Sequence, residues 1–448
     1  MNVIIIGNGI AGTTAARFIR KQSDAKITMI SGESTYPFSR TALMYIYMGH
    51  MKYDHTKLYE DGFWAKNNID LIEKWVDHID FDKKEVLLSG GSSVSYDKLI
   101  IATGSKPNKF GWPGENLNGV QGLYHLQDLE KMEAASAKGI KRAVIVGGGL
   151  IGVEMAEMFH SRHIPVTFLV REESFWNPVL PEGESLMVGK HIVDHGIDLR
   201  LGEELSEIVD DGDGNVKSIK TKNGEEIECN FVGLTVGVSP NVAFLKSTNL
   251  NINRGIQVNE YLETNQTDVF AIGDCAELSK PSPGRRPIEA VWYAGRMMAQ
   301  VAAANVTGKK LAYDPGTWFN SAKFFDIEYQ VYGDISPKET DGVSQFYWEH
   351  PELPKSVRIA FDTQTLAVRG FNLMGIRYRQ EVCTSWIENK VNIDEVMTNL
   401  KAANFDPEFF KMYEEDMIKA FNKQYSKTIS SQGKRKLSFI RKLMQTNG

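Results

Sequence analysis

The sequence predicts an α/β chain with two βαβ units, followed by a C-terminal α+β domain. Two observations carry this: an internal repeat, and a change of pattern near Pro315. The first copy of the repeat reads VIIIGNGIAGTTAARFIR from Val3, and the second AVIVGGGLIGVEMAEMFH from Ala143. Each is a short β-branched apolar run, a glycine-rich turn and a segment of helical period. Each is followed by another strand-like run, KITMIS from Lys26 and PVTFLV from Pro165. Strand, turn, helix and strand, written twice a domain's length apart, predict two nucleotide-binding domains rather than a solenoid.

Between the copies, KEVLLS from Lys84 has strand character, and YDKLIIATG from Tyr96 is a strand ending in a tight turn. From Ile208 to Val236, strand-like segments alternate with DGDGN and NGEE turns. A further strand and turn, DVFAIGD from Asp268, precedes a helical stretch, EAVWYAGRMMAQVAAANVTG. Beyond about Pro315, EYQVYGD, VSQFYWE, SVRIAFD and TLAVRGFNL read as antiparallel strands. Helices are expected around Ser385–Asn389, Asn392–Ala402 and Pro407–Phe421. The last segment, from Lys423, contains KRKLSFIRKLM and reads as a solvated, partly helical tail in preference to a membrane-surface or acidic-partner element.

The chain has 448 residues, 42% hydrophobic and 24% charged, which fits two or three globular domains. A net charge of -6 supplies no electrostatic footprint for nucleic acid. Cys229, Cys275 and Cys383 form no close pair, which argues against a zinc site or iron–sulfur cluster and for a reducing, cytoplasmic setting. A strand beginning at residue 2 leaves no room for a secretory signal, and no apolar run is long enough for a membrane span.

Gly7, Gly9 and Gly12 fit GxGxxG after a strand. The first glycine permits the tight turn, the second lets backbone approach a pyrophosphate, and the third lets helix pack on strand. The phosphates then meet the positive end of the helix. Glu33 lies about 20 residues further on, beyond the second strand, where a carboxylate meets ribose hydroxyls. Gly147, Gly149 and Gly152 repeat the Rossmann-like fingerprint. Arg171 follows the second strand and could pair with a 2′-phosphate or stack on adenine, but Glu172 and Glu173 would repel that phosphate. NAD and NADP both stay open, with a slight lean to NADH.

The order GNGIAG, Glu33, Ala102–Gly104, GGGLIGVE, GVSPN and AIGDCAE resembles the two-dinucleotide-binding flavoproteins over roughly residues 1–315. That family includes pyridine nucleotide–disulfide reductases, NADH oxidases, and ferredoxin and rubredoxin reductases. The resemblance implies FAD on the first glycine loop and NAD or NADP on the second. It also implies a discontinuous FAD domain (1–110 and 241–315) around an NAD(P) domain (111–240), with a C-terminal interface-type domain (316–448) and a homodimer. It implies that Asp274 hydrogen-bonds the ribityl chain and that Thr103 and Gly104 lie near the flavin. Trp292 would flank the isoalloxazine, while aromatic core packing is a compatible reading. Glu154 is similar to a family residue near the flavin–nicotinamide contact. It equally suits a glutamate in the first turn of the second glycine-loop helix, favoured by the helix dipole.

Disulfide reductases carry a cysteine pair in the region of YPFSRTALMYIYMG, and some NADH oxidases a single cysteine. No cysteine precedes Cys229 here, so thiol–disulfide exchange has no nucleophile beside the flavin. FSRTAL instead resembles the stretch in ferredoxin and rubredoxin reductases and in the flavin-binding part of nitrite reductases, placing Arg40 near the FAD pyrophosphate. Thr41 stands where that family has proline, and Tyr45 where a lysine is often found, which puts a lysine–glutamate pair at the flavin in doubt. Cys275 reads as a small packed residue, and EHPELPK around His350 as a loop between strands. The expected activity is hydride transfer from NAD(P)H to FAD and then electrons to a protein carrier. The alternatives are a quinone or oxygen reductase and, further down, a regulatory flavoprotein.

Overall fold

A computed structural model describes residues 1–406, 408 and 411–431. The basic stretch beginning at Lys434 lies outside the described residues. The chain divides into two compact units: Met1–Glu173 with Gly196–Pro315, and Ser174–His195 with the described residues from Gly316 onward.

The first unit holds two parallel sheets. In one, the strand order is Val269–Ala271, Lys98–Ile101, Asn2–Ile6, Lys26–Ser31, Ile69–Glu73. Every neighbouring pair is parallel, with Ile5 opposite Met29 on one side and Ile100 on the other. Val3, Ile4, Ile5, Ile27, Leu99 and Ile100 are wholly buried, as strands covered on both faces must be. The helix Ile10–Gln22 follows the first strand and packs on the helix Trp292–Val306. The second sheet runs Asp198–Leu201, Val166–Val170, Ala143–Val146, Phe231–Leu234, Val120–Gln121, again all parallel. The helix Leu150–Ser161 links two of its strands. The repeated βαβ pattern is therefore two α/β sheets, each with its glycine turn at the carboxyl end of a central strand. Ser105–Pro107 pairs with Val238–Pro240 and ties the chain between the two sheets.

The second unit is built on an antiparallel sheet ordered Phe319–Phe324, Ile327–Gly333, Val368–Met374, Ser356–Asp362, Val343–Glu349. The segment around His350 is the loop between Val343–Glu349 and Ser356–Asp362. Helices Gln380–Glu388, Ile393–Thr398 and Glu414–Tyr425 complete it. The last begins later than the sequence pattern indicates, with Glu414, Glu415 and Asp416 in its first turn, where acidic side chains suit the helix dipole.

The helix Glu182–Asp194 connects two strands of the second parallel sheet yet groups with the C-terminal sheet. Two contacts explain this. Phe175 and Trp176 meet Phe324 edge-on. Glu184, fully buried, takes a bidentate pair from Arg358 at 2.8 and 2.7 Å. Burial pushes the Glu184 carboxyl up against the pull of Arg358. Breaking one side of such a pair leaves a buried charge uncompensated, so Arg358→Met should cost about 3–5 kcal/mol in urea denaturation. The double variant Glu184→Gln/Arg358→Met should recover most of that loss. Equal stability of the single variant and the parent chain would contradict this account.

Candidate functional site

The first glycine turn shows why each position is glycine. Gly7 has φ +104°, and a Cβ there would strike the Ala102 carbonyl. A Cβ on Gly12 would collide with the Gly7 carbonyl, so the helix can sit this close only without a side chain. A Cβ on Gly9 would meet nothing within 4 Å, because this position faces open space at the start of the helix. The second turn repeats the arrangement. Gly147 has φ +114°, with the Thr235 carbonyl 2.6 Å from where its Cβ would stand, and Gly152 is closed in by Phe168 and Thr235 at 2.9 Å each. Gly149, like Gly9, faces open space.

A cavity of about 590 Å³ opens beside the first turn. Gly7, Gly9, Glu33, Arg40, Thr103 and Gly104 line it, as do Glu154, Asp274 and Trp292. Gly12 lies beneath the turn, and Gly147, Gly149, Gly152 and Arg171 are not among the lining residues. Leu150, Ile151 and Glu154 do line it, so the helix after the second glycine turn presents its first turns to the cavity beside the first.

Glu33 and Arg40 form a bidentate pair at 2.8 and 2.6 Å. The Leu126 N–H, at the start of the helix Leu126–Lys138, donates to the same carboxylate at 2.8 Å, and His125 Nδ1 stands 3.7 Å away. Arg40 also donates to the Tyr124 carbonyl and lies over the Tyr124 ring at 4.6 Å. Burial alone would raise the Glu33 carboxyl, but His125, Arg40 and the Leu126 amide together hold it at about 2. Tyr124 and His125 carry no motif of their own; their one local signal is Asp128, whose carboxylate accepts from the Tyr124 and His125 amides and starts the helix. Trp75, another lining residue without a sequence signal, lies against Gly32 at the end of the second strand.

Asp274 reaches the cavity because Gly273 (φ +72°) and Gly295 let their segments close on Ala11. Its Oδ2 accepts from Ser105 Oγ at 3.0 Å and Tyr124 Oη at 3.1 Å. Burial keeps its carboxyl above the usual aspartate range. Thr103 Oγ1 donates to the Asn241 carbonyl at 2.9 Å, and the Asn241 amide donates to the Gly104 carbonyl at 2.9 Å. These bonds fasten the ATG turn to the GVSPN segment. Trp292 opens the helix Trp292–Val306 at the cavity wall.

Glu154 lies on the helix Leu150–Ser161. Burial, reinforced by the nearby Glu157, raises its carboxyl to about 7. No cation among the described residues offsets that burial, consistent with tyrosine at position 45; the Tyr45 ring stacks on His50 instead. Arg171 is 74% exposed and donates to Glu172 at 2.8 Å. Cys275 is wholly buried, its thiol 3.3 Å from the Ile272 carbonyl, and burial pushes the thiol up. No cysteine is among the residues lining the cavity.

The Glu33 network makes an acid-stability prediction. Its folded-state carboxyl, near 2, lies below the ordinary 4.5, so its contribution is present above pH 4.5 and lost as pH falls toward 2. That contribution is about 3 kcal/mol. Denaturation at stepped pH should show this part of the acid slope in the parent chain and its absence in Glu33→Gln. Identical slopes would refute it.

The site's chemistry fits a dinucleotide: two open glycine positions at helix starts, a carboxylate past the second strand, and a cavity of ligand size. Comparison with known proteins agrees. A family model described as pyridine nucleotide-disulphide oxidoreductase matches residues 1–305. An NADH-rubredoxin oxidoreductase of Clostridium acetobutylicum is 30% identical over 400 residues, 89% of this chain and 99% of that one. An NAD(P)H nitrite reductase of Bacillus subtilis is 30% identical over 278 residues; these are 61% of this chain but only 34% of the longer protein. An NAD-dependent persulfide reductase structure from A. fulgidus shares the fold, with a TM-score of 0.83 at 24% identity, covering 95% of this chain and 84% of that one. The chain belongs to the pyridine nucleotide-disulphide oxidoreductase family.

Proposed function

We propose that the chain is an FAD-dependent NAD(P)H reductase that passes electrons to a protein carrier of the rubredoxin or ferredoxin kind. The observation that carries this reading is the cavity itself. The second glycine-turn helix faces into it, and no cysteine lines it. A relative of matching length is an NADH-rubredoxin oxidoreductase, which supports the same choice of acceptor. When bound, NAD(P)H supplies a hydride and FAD a centre that accepts it and releases electrons singly or in pairs.

The chain's residues divide the remaining work. Gly7, Gly9 and Gly12 let the Ile10–Gln22 helix present its amides to a pyrophosphate. Glu33, held ionised by His125 and Arg40, would bind the ribose of FAD, and Arg40 would add positive charge for its phosphates. Asp274, with Thr103 and Gly104, positions the flavin's ribityl end, and Trp292 walls the ring. Gly147, Gly149 and Gly152 would hold the pyrophosphate of the nicotinamide dinucleotide. Glu154 holds or releases a proton at its carboxyl, against the cavity, near neutral pH. Arg171 is engaged by Glu172 and makes a poor 2′-phosphate clamp, so NADH is the preferred donor. Three separate buried thiols support a reducing, cytoplasmic setting. No helix among the described residues is long and apolar enough to cross a membrane. The family resemblance supports a homodimer.

Three measurements test this reading. Turnover should saturate with a rubredoxin or ferredoxin as acceptor; turnover with quinones or dyes alone would overturn the carrier assignment. The kcat/KM for NADH should exceed that for NADPH, and Arg171→Ala should leave the NADH value nearly unchanged; a collapse of NADH turnover in that variant would show that Arg171 holds the adenosine. The rate of flavin reduction by NADH should change with an apparent midpoint near 7, and Glu154→Gln should flatten that profile. A variant profile matching the parent's would remove Glu154 from the proton's path.

A further inference from the structure

The helix Glu182–Asp194 ends in a second cluster, which shares no residue with the cofactor cavity. His191 lies in its last turn and His195 caps it, one turn further along the same face. Asp326 sits in the tight turn between strands Phe319–Phe324 and Ile327–Gly333, after Phe325 at φ +55°. One ligand atom from each of the three residues falls within 4.8 Å of the others. We propose that His191, His195 and Asp326 form a binding site for a divalent cation of the zinc class.

The ring orientations support this. His195 Nδ1 is 2.8 Å from the His191 carbonyl oxygen, an acceptor, so that nitrogen carries the proton. In the neutral ring Nε2 then presents its lone pair, and it faces Asp326 Oδ1 at 3.9 Å. His191 Nε2 meets the same oxygen. Phe325 stacks on the His195 ring at 4.4 Å and 28°, fixing its plane. A backbone carbonyl that orients an imidazole in this way is the usual outer support of a metal-binding histidine. A ring nitrogen facing a carboxylate oxygen at this distance leaves a gap that a cation can bridge. The carbonyl end of a helix adds partial negative charge on the same side.

The donor set selects the ion. Two imidazole nitrogens and one carboxylate suit zinc and its transition-metal neighbours, whereas calcium and magnesium take oxygen ligands. Tetrahedral zinc with bonds of about 2.0–2.1 Å sets its ligand atoms about 3.3 Å apart. The His195–Asp326 separation is somewhat wider than this, and the Asp326 side chain, 75% exposed, is free of the packing that would stop it closing. Water would take the remaining position. A bound ion would clip the end of the helix to the hairpin turn, while Glu184 and Arg358 hold the helix near its start.

The competing reading is a proton-bridged His–Asp pair that binds no metal. Zinc titration of the full-length, flavin-loaded protein after chelator stripping separates the two. The proposal expects one equivalent of zinc bound at micromolar concentration, a higher Tm with zinc, and no such shift with calcium or magnesium. His195→Ala and Asp326→Asn should each weaken zinc binding at least about 10-fold, the scale on which even supporting contacts act. Both should abolish the zinc-dependent Tm shift while leaving NADH-driven dye reduction unchanged. Zinc-free melts of parent and variants confirm that all are folded. Failure of the parent to bind zinc, or equal binding by parent and variants, would overturn the site.

Discussion

Gly7 stands where three chain segments meet with no room for a side chain. Its amide donates to the Ile30 carbonyl at 2.8 Å, a Cβ would strike the Ala102 carbonyl, and its own carbonyl occupies the place of a Gly12 Cβ. The first strand, the start of its helix and the ATG turn are thereby drawn to one point. The cavity follows from that convergence. Glu33 arrives from the end of the neighbouring strand, Thr103 and Gly104 from the strand on the other side, and Asp274 through Gly273, which itself touches Ala11. A side chain at Gly7 would move all of these together, because the strands leading to Glu33 and Thr103 are registered on the central strand and the one leading to Asp274 on Lys98–Ile101.

Charge is distributed unevenly around that cavity, and the asymmetry has a physical origin. Glu33 is largely enclosed yet ionised, because His125, Arg40 and a helix N-terminus offset the loss of solvent. Asp274 is partly buried with hydroxyl partners as well as Arg40's more distant charge, and the loss of solvent wins. Burial and the nearby Glu157 raise the Glu154 carboxyl to about 7, with no cation among the described residues to offset them. The replacement of an expected lysine by Tyr45 thus changes what Glu154 can do: a lysine-paired carboxylate stays charged, whereas this one sits poised between states.

Both glycine turns were legible in the sequence, because positive φ and backbone contact leave glycine as the residue that fits, and that demand is local. The strands were legible for a similar reason, since burial on both faces requires continuous apolar runs. Arg40 was legible as a site residue, but its bidentate bond to Glu33 was not. Nor were Tyr124 and His125, which reach the site from a segment distant in the chain. The grouping of Glu182–Asp194 with the C-terminal sheet rests on Arg358, far along the sequence, and leaves no local trace. The His191–His195 spacing says nothing of metal by itself, because only folding brings Asp326 to it.

The central claim is a flavin reductase with the family's architecture and no thiol relay. An anaerobic reductive titration, following the flavin's visible absorbance, tests it most directly. Each chain should be fully reduced by two electrons per flavin, with bleaching from the first addition. Uptake of four electrons, with a thiolate-to-flavin charge-transfer band at the halfway point, would reveal a redox-active disulfide and contradict the account.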